Sequence, residues 1–290
     1  MIIVGLSNSL PVAGLMARKL RAPWFAVEKN HFPDGEIYMR FSKNVKDQHV
    51  VLVQSFHPYP QEALIEIVWA AAQSRAQGAK SVVLAAPYLG YVRQDKEFHS
   101  GEAVSVRILA GLLSRYVDRI VTIDPHLHRI KDLETVFACP VKVVTANGLL
   151  ADFIKKNYVG CVVVGPDEES EQWAAAIARS IKVESTVLVK TRFSSQRVRV
   201  KLKGDIDVKG KIVVIVDDII SSGKTIAEAA KLMKKFGPKR VVTVSVHGVF
   251  AGKAIFWMKK AGVREITSST TIESAYAKID VAELLANAVE

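Results

Sequence analysis

The stretch Lys211-Ile212-Val213-Val214-Ile215-Val216-Asp217-Asp218-Ile219-Ile220-Ser221-Ser222-Gly223-Lys224-Thr225 carries both the architecture and the chemistry of this 290-residue chain. Residues 212–216 are apolar on both faces of an extended backbone, which suits a strand covered by helices on each side, as in a parallel sheet. Val82-Val83-Leu84-Ala85-Ala86 reads the same way. Working outward, strand-like runs recur at 1–5, 49–54, 81–86, 119–123, 161–165, 185–190, 211–216, 241–246 and 264–267. Helical stretches lie between them at 9–20, 60–77, 101–115, 146–156, 169–181, 223–236 and 250–261. The alternation predicts an α/β fold with doubly wound parallel sheets.

An internal echo points to two such sheets. Gln77-Gly78-Ala79-Lys80 leads into Ser81-Val82-Val83-Leu84, and Phe236-Gly237-Pro238-Lys239 leads into Arg240-Val241-Val242-Thr243. The expectation is two similar domains, 1–142 and 143–290, each long enough to bury a core.

Composition narrows the class. Apolar residues make up 49% and charged residues 24%, which is globular. No run approaches the roughly 18 apolar residues of a membrane span, and Met1-Ile2-Ile3-Val4 meets a polar turn at once, unlike a signal peptide. A cytoplasmic protein with no membrane partner is expected. Cys139 and Cys161 sit in or beside apolar runs and read as reduced core residues. The net charge of +11 calls for an anionic partner. It is densest from Lys190 to Lys211, where the basic residues meet only Asp205 and Asp207.

In open parallel sheets, ligands bind in loops at the carboxyl ends of the strands. There, after 213–216, stand two adjacent carboxylates and then a small-residue loop that opens a helix. Backbone amides of such a loop cradle a phosphate, and Ser221, Ser222 and Thr225 add hydroxyl donors. Two carboxylates would repel a phosphate alone, but suit a ligand that also carries a sugar with vicinal hydroxyls. The GxxxxGK[ST] spacing of a P-loop is absent.

This segment resembles the phosphoribosyl-diphosphate motif shared by phosphoribosyltransferases and ribose-phosphate diphosphokinases. The resemblance implies that Asp217 and Asp218 hold ribose hydroxyls, while Ser221, Ser222, Gly223, Lys224 and Thr225 hold the 5-phosphate, with Arg192 also a ribose 5-phosphate contact. Four further stretches resemble the diphosphokinases specifically. Asn30-His31-Phe32-Pro33-Asp34-Gly35-Glu36 is similar to their nucleotide loop, with Phe32 stacking on adenine and Asp34 and Glu36 accepting from its amine edge. Arg93-Gln94-Asp95 is similar to their ATP-contacting stretch. Asp124-Pro125-His126 and Gly165-Pro166-Asp167 imply His126 and Asp167 as Mg²⁺ ligands, whereas His128 lacks such support. Lys190-Thr191-Arg192 matches a Lys-x-Arg pair on a loop that closes over the reacting phosphates; Phe193-Ser194-Ser195-Gln196 suits its hinge. The alternation Arg197-Val198-Arg199-Val200-Lys201-Leu202-Lys203 is that of an exposed strand.

The implied activity is that of a ribose-phosphate diphosphokinase. It takes ATP and ribose 5-phosphate as substrates, Mg²⁺ as cofactor, Lys190 and Arg192 as catalytic residues, and works as a homo-oligomer. Ser221 and Lys224 stand where many members carry Asp and Gly, and the length resembles the short archaeal branch. A phosphoribosyltransferase would need only the 213–225 motif. A non-catalytic sensor of phosphoribosyl diphosphate that binds nucleic acid is a third reading. No helix-turn-helix pattern precedes the α/β body, so nucleic acid is not the expected partner.

Overall fold

A computed structural model of the chain describes residues 1–127, 129–130, 132–192, 198–204 and 206–290. The side chains of 190–192 and 198–200 lie outside that description. So do His128 and the expected hinge at 193–196, and of Lys190 and Arg192 only the backbone is described. The chain forms two units, Met1–Thr145 with Thr270–Glu273 and Val281–Glu290, and Ala146–Ser269 with Ser274–Asp280.

The first unit runs β1 (Ile2–Gly5), α1 (Leu10–Leu20), β2 (Trp24–Ala26), β3 (Glu28–His31), β4 (Ile37–Arg40), β5 (His49–Val53), α2 (Pro60–Ala76), β6 (Ser81–Ala86), α3 (Ser105–Leu113), β7 (Arg119–Ile123) and β8 (Val141–Val144). Its six-stranded sheet has the order β2-β1-β5-β6-β7-β8, and every pair is parallel. β3 and β4 stand apart as an antiparallel hairpin. The core forms because Ile3, Leu52, Leu84 and Ile120, one from each central strand, are wholly removed from water.

The second unit runs α4 (Asn147–Asn157), β9 (Val162–Gly165), α5 (Glu171–Ile181), β10 (Ser185–Arg192), β11 (Val198–Leu202), β12 (Ile212–Ile220), α6 (Lys224–Met233), β13 (Arg240–Gly248), α7 (Ala254–Ala261), β14 (Val263–Ser269) and β15 (Ala277–Ile279). Its sheet order is β11-β10-β9-β12-β13-β14-β15. Among the described residues only β11, the edge strand with exposed Lys201, pairs antiparallel. Both sheets reverse their winding beside one strand, at β1/β5 in the first unit and at β9/β12 in the second. That shared reversal is the structural counterpart of the sequence echo.

Every strand expected from apolar runs is present, with one difference. β12 does not stop at Val216 but continues to Ile220. β13 is equally long, and the parallel ladder pairs Asp217 with Ser245, Ile219 with His247 and Ile220 with Gly248. Elements without a sequence signal are β2, the hairpin, β8, β15 and a last helix, α8 (Ala282–Val289). That helix belongs to the first unit. It buries Leu285, Ala286 and Val289 and is tied by Lys142 Nζ, which donates to Ala288 O at 3.1 Å. A single division after residue 142 does not include this return.

Gly165 ends β9, and a Cβ there would meet Val187 Cγ1 at 2.8 Å as well as the Ser170 hydroxyl. Gly111 on α3 has open space instead. Gly165→Ala is therefore expected to lose about 1–3 kcal/mol in denaturant unfolding through overpacking. Gly111→Ala is expected to gain up to about 1 kcal/mol.

Candidate active site

At the second unit's reversal, β9 and β12 are neighbours whose carboxyl ends open side by side. Asp217 and Asp218 are half-buried there. Asp217 Oδ1 accepts the Asp218 N–H at 3.1 Å and Asp218 Oδ1 accepts the Ile219 N–H at 2.7 Å. Asp167 lies two residues beyond β9, in a turn built by Ser170. The Ser170 N–H donates to Asp167 Oδ1 at 3.1 Å, and its hydroxyl donates to Asp167 O at 2.6 Å. Burial first, then the negative charges of Asp218 and Asp167, push the Asp217 carboxyl well above its usual range. Three neighbouring carboxylates in this setting favour ligands that bring hydroxyl donors or a cation.

The loop that follows is rigid for a visible reason. Ile220 O and Ser221 O accept the amides of Phe250 and Ala251 at 3.0 and 2.9 Å. Gly223 has φ +69°, and a Cβ there would sit 3.0 Å from Ala254 O, so a side chain is excluded on two counts. α6 starts at the next residue. Its first amides have no partner within the helix and face outward with the positive end of the dipole, beside the exposed Ser222, Lys224 and Thr225. This arrangement suits an anion and lies one loop away from a pair of carboxylates.

The first unit holds the remaining candidates on three separate elements. Residues 32–36 cap the β3–β4 hairpin. Phe32 N–H donates to Glu36 O at 2.8 Å, Gly35 N–H to Phe32 O at 2.9 Å, and Glu36 N–H to Asp34 Oδ1 at 3.1 Å. The loop is thus a tight turn, and it leaves Phe32 49% exposed, edge-on to Tyr38. Phe32, Tyr38, Met39 and Trp69 line a groove of about 460 Å³ against α2.

Arg93 is exposed on the loop after β6, which docks on the start of α3: the Ser105 hydroxyl donates to Tyr91 O at 2.8 Å. Tyr91 has φ +61°, and Asp124, just past β7 and before the half-buried His126, has φ +34°. Such backbone conformations are costly for residues other than glycine and gather at functional loops. Asp95 departs from the expected ATP contact. Its side chain is 1% exposed, and its carboxylate accepts the Arg129 N–H at 2.9 Å and pairs with the Arg129 guanidinium at 3.0 Å. Its carboxylate is thus engaged by Arg129 and holds a loop in place.

His126 and Asp167 belong to different units. Among the described residues, no three His, Cys, Asp or Glu side chains stand together as a metal cage. Two groups escaped the sequence reading. Arg129 lies 34 residues from Asp95 and has no local signature. Ser245 pairs with Asp217 in the ladder, and its buried hydroxyl has no partner among the described residues. No helix among the described residues is long and apolar enough to cross a membrane.

Two parallel-sheet units, with acids and an anion cradle at a reversal point, define a protein of phosphoribosyltransferase type. Residues 143–275 match the phosphoribosyl transferase domain, and residues 1–116 match the N-terminal domain of ribose phosphate pyrophosphokinase. The chain is 36% identical to the ribose-phosphate pyrophosphokinase of Methanothermobacter thermautotrophicus over 290 residues, covering 99% of each. It is 34% identical to that of Methanobrevibacter smithii over 298 residues, covering 98% of each. Phosphoribosylpyrophosphate synthetase from Mycobacterium smegmatis superposes with a TM-score of 0.84 at 30% identity, over 99% of this chain and 97% of that one. The chain belongs to the ribose-phosphate pyrophosphokinase family, and is with it a transferase.

The raised Asp217 carboxyl has a consequence for stability. The unfolded chain releases that proton near the ordinary value of about 3.9, and the folded chain only at higher pH. The contribution is thus fully present below the ordinary value and is lost as pH rises through the raised one. Asp217→Asn, without ligand, is expected to melt above the wild type near pH ~8, with the gap closing toward pH ~4. Melting curves across that range check it.

Proposed function

We propose that the chain transfers the β,γ-diphosphoryl group of ATP to the 1-hydroxyl of ribose 5-phosphate, giving phosphoribosyl diphosphate and AMP. The observation that carries this reading is the sequence of β12, two half-buried carboxylates and the Gly223 cradle within one strand–loop–helix unit. Asp217 and Asp218 accept hydrogen bonds from the ribose hydroxyls, which answers the charge they hold against each other. The amides and hydroxyls of Ser221, Ser222, Gly223 and Thr225 hold the 5-phosphate, and the exposed ammonium of Lys224 adds charge. Phe32 offers its exposed ring to adenine, and Asp34 and Glu36 accept from the amine edge. Arg93 and Gln94 meet the polyphosphate, Arg93 through a planar fork that matches phosphate oxygens, while Asp95 keeps Arg129 and that loop in register.

His126 and Asp167, each in its own unit, are the residues that would offer a ligand atom to a hard cation arriving with its substrate. Mg²⁺, when bound, would supply neutralisation of phosphate charge. In the reaction the anomeric oxygen forms a bond to the β-phosphorus, the bond from that phosphorus to the α-phosphate oxygen breaks, and the hydroxyl proton leaves to solvent. The protein contributes position and charge rather than covalent chemistry. Lys190 and Arg192, at the end of β10, carry the cationic charge that offsets the negative charge gathered in the transition state. The enzyme works in the cytoplasm as a homo-oligomer.

Purified protein, ATP, Mg²⁺ and ribose 5-phosphate followed by phosphorus NMR test the reading. AMP with a new diphosphate on the sugar, formed only when ribose 5-phosphate is present, is the expected result. ADP would mean γ-phosphoryl transfer, and tight binding of phosphoribosyl diphosphate without turnover would favour a transferase or a sensor. Lys190→Ala is expected to lower kcat on the order of 10²–10³-fold, the scale of a lost transition-state donor, with a far smaller rise in KM. Near-normal kcat removes Lys190 from that role.

A further inference from the structure

Where an open parallel sheet reverses its winding, a crevice for ligands opens. In the second unit the acids and the cradle stand at that point. In the first unit the reversal lies between β1 and β5, and none of the residues read as ligand contacts falls there. Protein fills it instead. Glu66 of α2, whose side chain is 3% exposed, uses both oxygens. Its Oε2 accepts the Ser7 N–H at 3.1 Å and Gln54 Nε2 at 2.9 Å, and its Oε1 accepts the Ser7 hydroxyl at 2.7 Å and Lys29 Nζ at 2.5 Å. Gln54 Oε1 accepts the Asn8 N–H at 2.9 Å. Ser7 and Asn8 follow β1 and Gln54 follows β5, so one carboxylate ties together both lips of the crevice.

The fourth donor, Lys29, comes from the hairpin, which shares no ladder with the six-stranded sheet. Lys29 and His31 are two apart on β3, about 6.8 Å along a strand. Glu62 and Glu66 are four apart on α2, about 6.0 Å along a helix. The matched pitch gives two rungs, Lys29–Glu66 at 2.5 Å and His31–Glu62 at 2.6 Å, with Lys29 also 3.3 Å from Glu62. Burial alone would lower the Lys29 ammonium, but the hydrogen bond and charge of Glu66, and then the charge of Glu62, raise it. Phe32 is the next residue after the second rung.

We infer that Glu66 and Lys29 are positioning residues: the first unit's reversal crevice is closed to ligands and acts as the socket that aims loop 32–36 at the nucleotide. This rests on the reading of that loop as the adenine contact. A small rotation of β3 at Lys29 displaces Phe32, three residues away, so losing the rung weakens ATP binding without touching the sugar site.

Lys29→Met tests it, because it keeps the apolar stem and leaves Glu66 bonded to Ser7 and Gln54. The ATP KM is expected to rise about tenfold, equivalent to about 1.4 kcal/mol, with the KM for ribose 5-phosphate and kcat close to wild type. Lys29→Arg should restore most of the loss. Amide exchange of residues 28–40 should quicken while that of β12 and α6 does not. An unchanged ATP KM in folded Lys29→Met, or both KM values rising together, overturns the inference. Should Lys29→Met fail to fold, Glu62→Gln removes the outer rung and the 3.3 Å contact to Lys29 while leaving the Lys29–Glu66 rung, and is expected to give a smaller, equally selective rise; no rise there also overturns it. If the wild type makes no AMP at all, the functional reading has failed separately. Exchange at 28–40 then decides the socket, and an unchanged rate in Lys29→Met rejects it.

Discussion

The parallel ladder that holds β12 between β9 and β13 sets the terms for the rest of the second unit. Val213, Val214, Ile215 and Val216 are wholly buried on both faces, so a slip by one residue would carry Asp217 into the place of Val216 and bury its charge. Because β13 continues as far as β12, pairing carries on through Asp217 and ends at Ile220. Two carboxylates are thereby kept in a strand end where hydration is incomplete and where Asp167 adds its charge. The loop to α6 then has no slack, since its carbonyls are bonded to residues 250–251 and Gly223 is pressed on Ala254. Rigidity of the cradle and electrostatic tension in the acids are thus two results of one pairing pattern.

The same winding reversal serves two ends in one chain. In the second unit it carries three neighbouring carboxylates, Asp167, Asp217 and Asp218, a setting that suits a sugar and a cation. In the first, Glu66 is met by four donors and the charge is answered internally. Buried, fully bonded networks of this kind specify one geometry where apolar packing alone would permit several. The hairpin needs such a device. Its strands are four residues each and pair only with one another, which is marginal without outside support.

Legibility in the sequence followed the physics of each element. Covered strands such as 82–86 and 213–216 announce themselves, because burial on both faces demands continuous apolar residues. The cradle was legible because Gly223 and the surrounding hydroxyls serve local backbone needs. β3 was not: Glu28-Lys29-Asn30-His31 is polar throughout, since ion pairs to α2 hold it rather than apolar burial. Asp95 reads as one more polar residue of an ATP loop, yet Arg129 takes its carboxylate from 34 residues away. Nor does anything in Ala282–Val289 say which unit its apolar face will cover.

By itself, then, the sequence determined the periodic apolar runs, their α/β alternation, and the acids and small-residue loop after residue 216. These follow from local rules of burial and backbone freedom. Only the tertiary structure decided that β12 outlasts its apolar run, that Asp167 acts on Asp217, that Asp95 belongs to Arg129, and that Glu66 anchors the hairpin. Each of these joins residues far apart in the chain. Their energies depend on distance and desolvation, and neither quantity exists until the sheets are assembled.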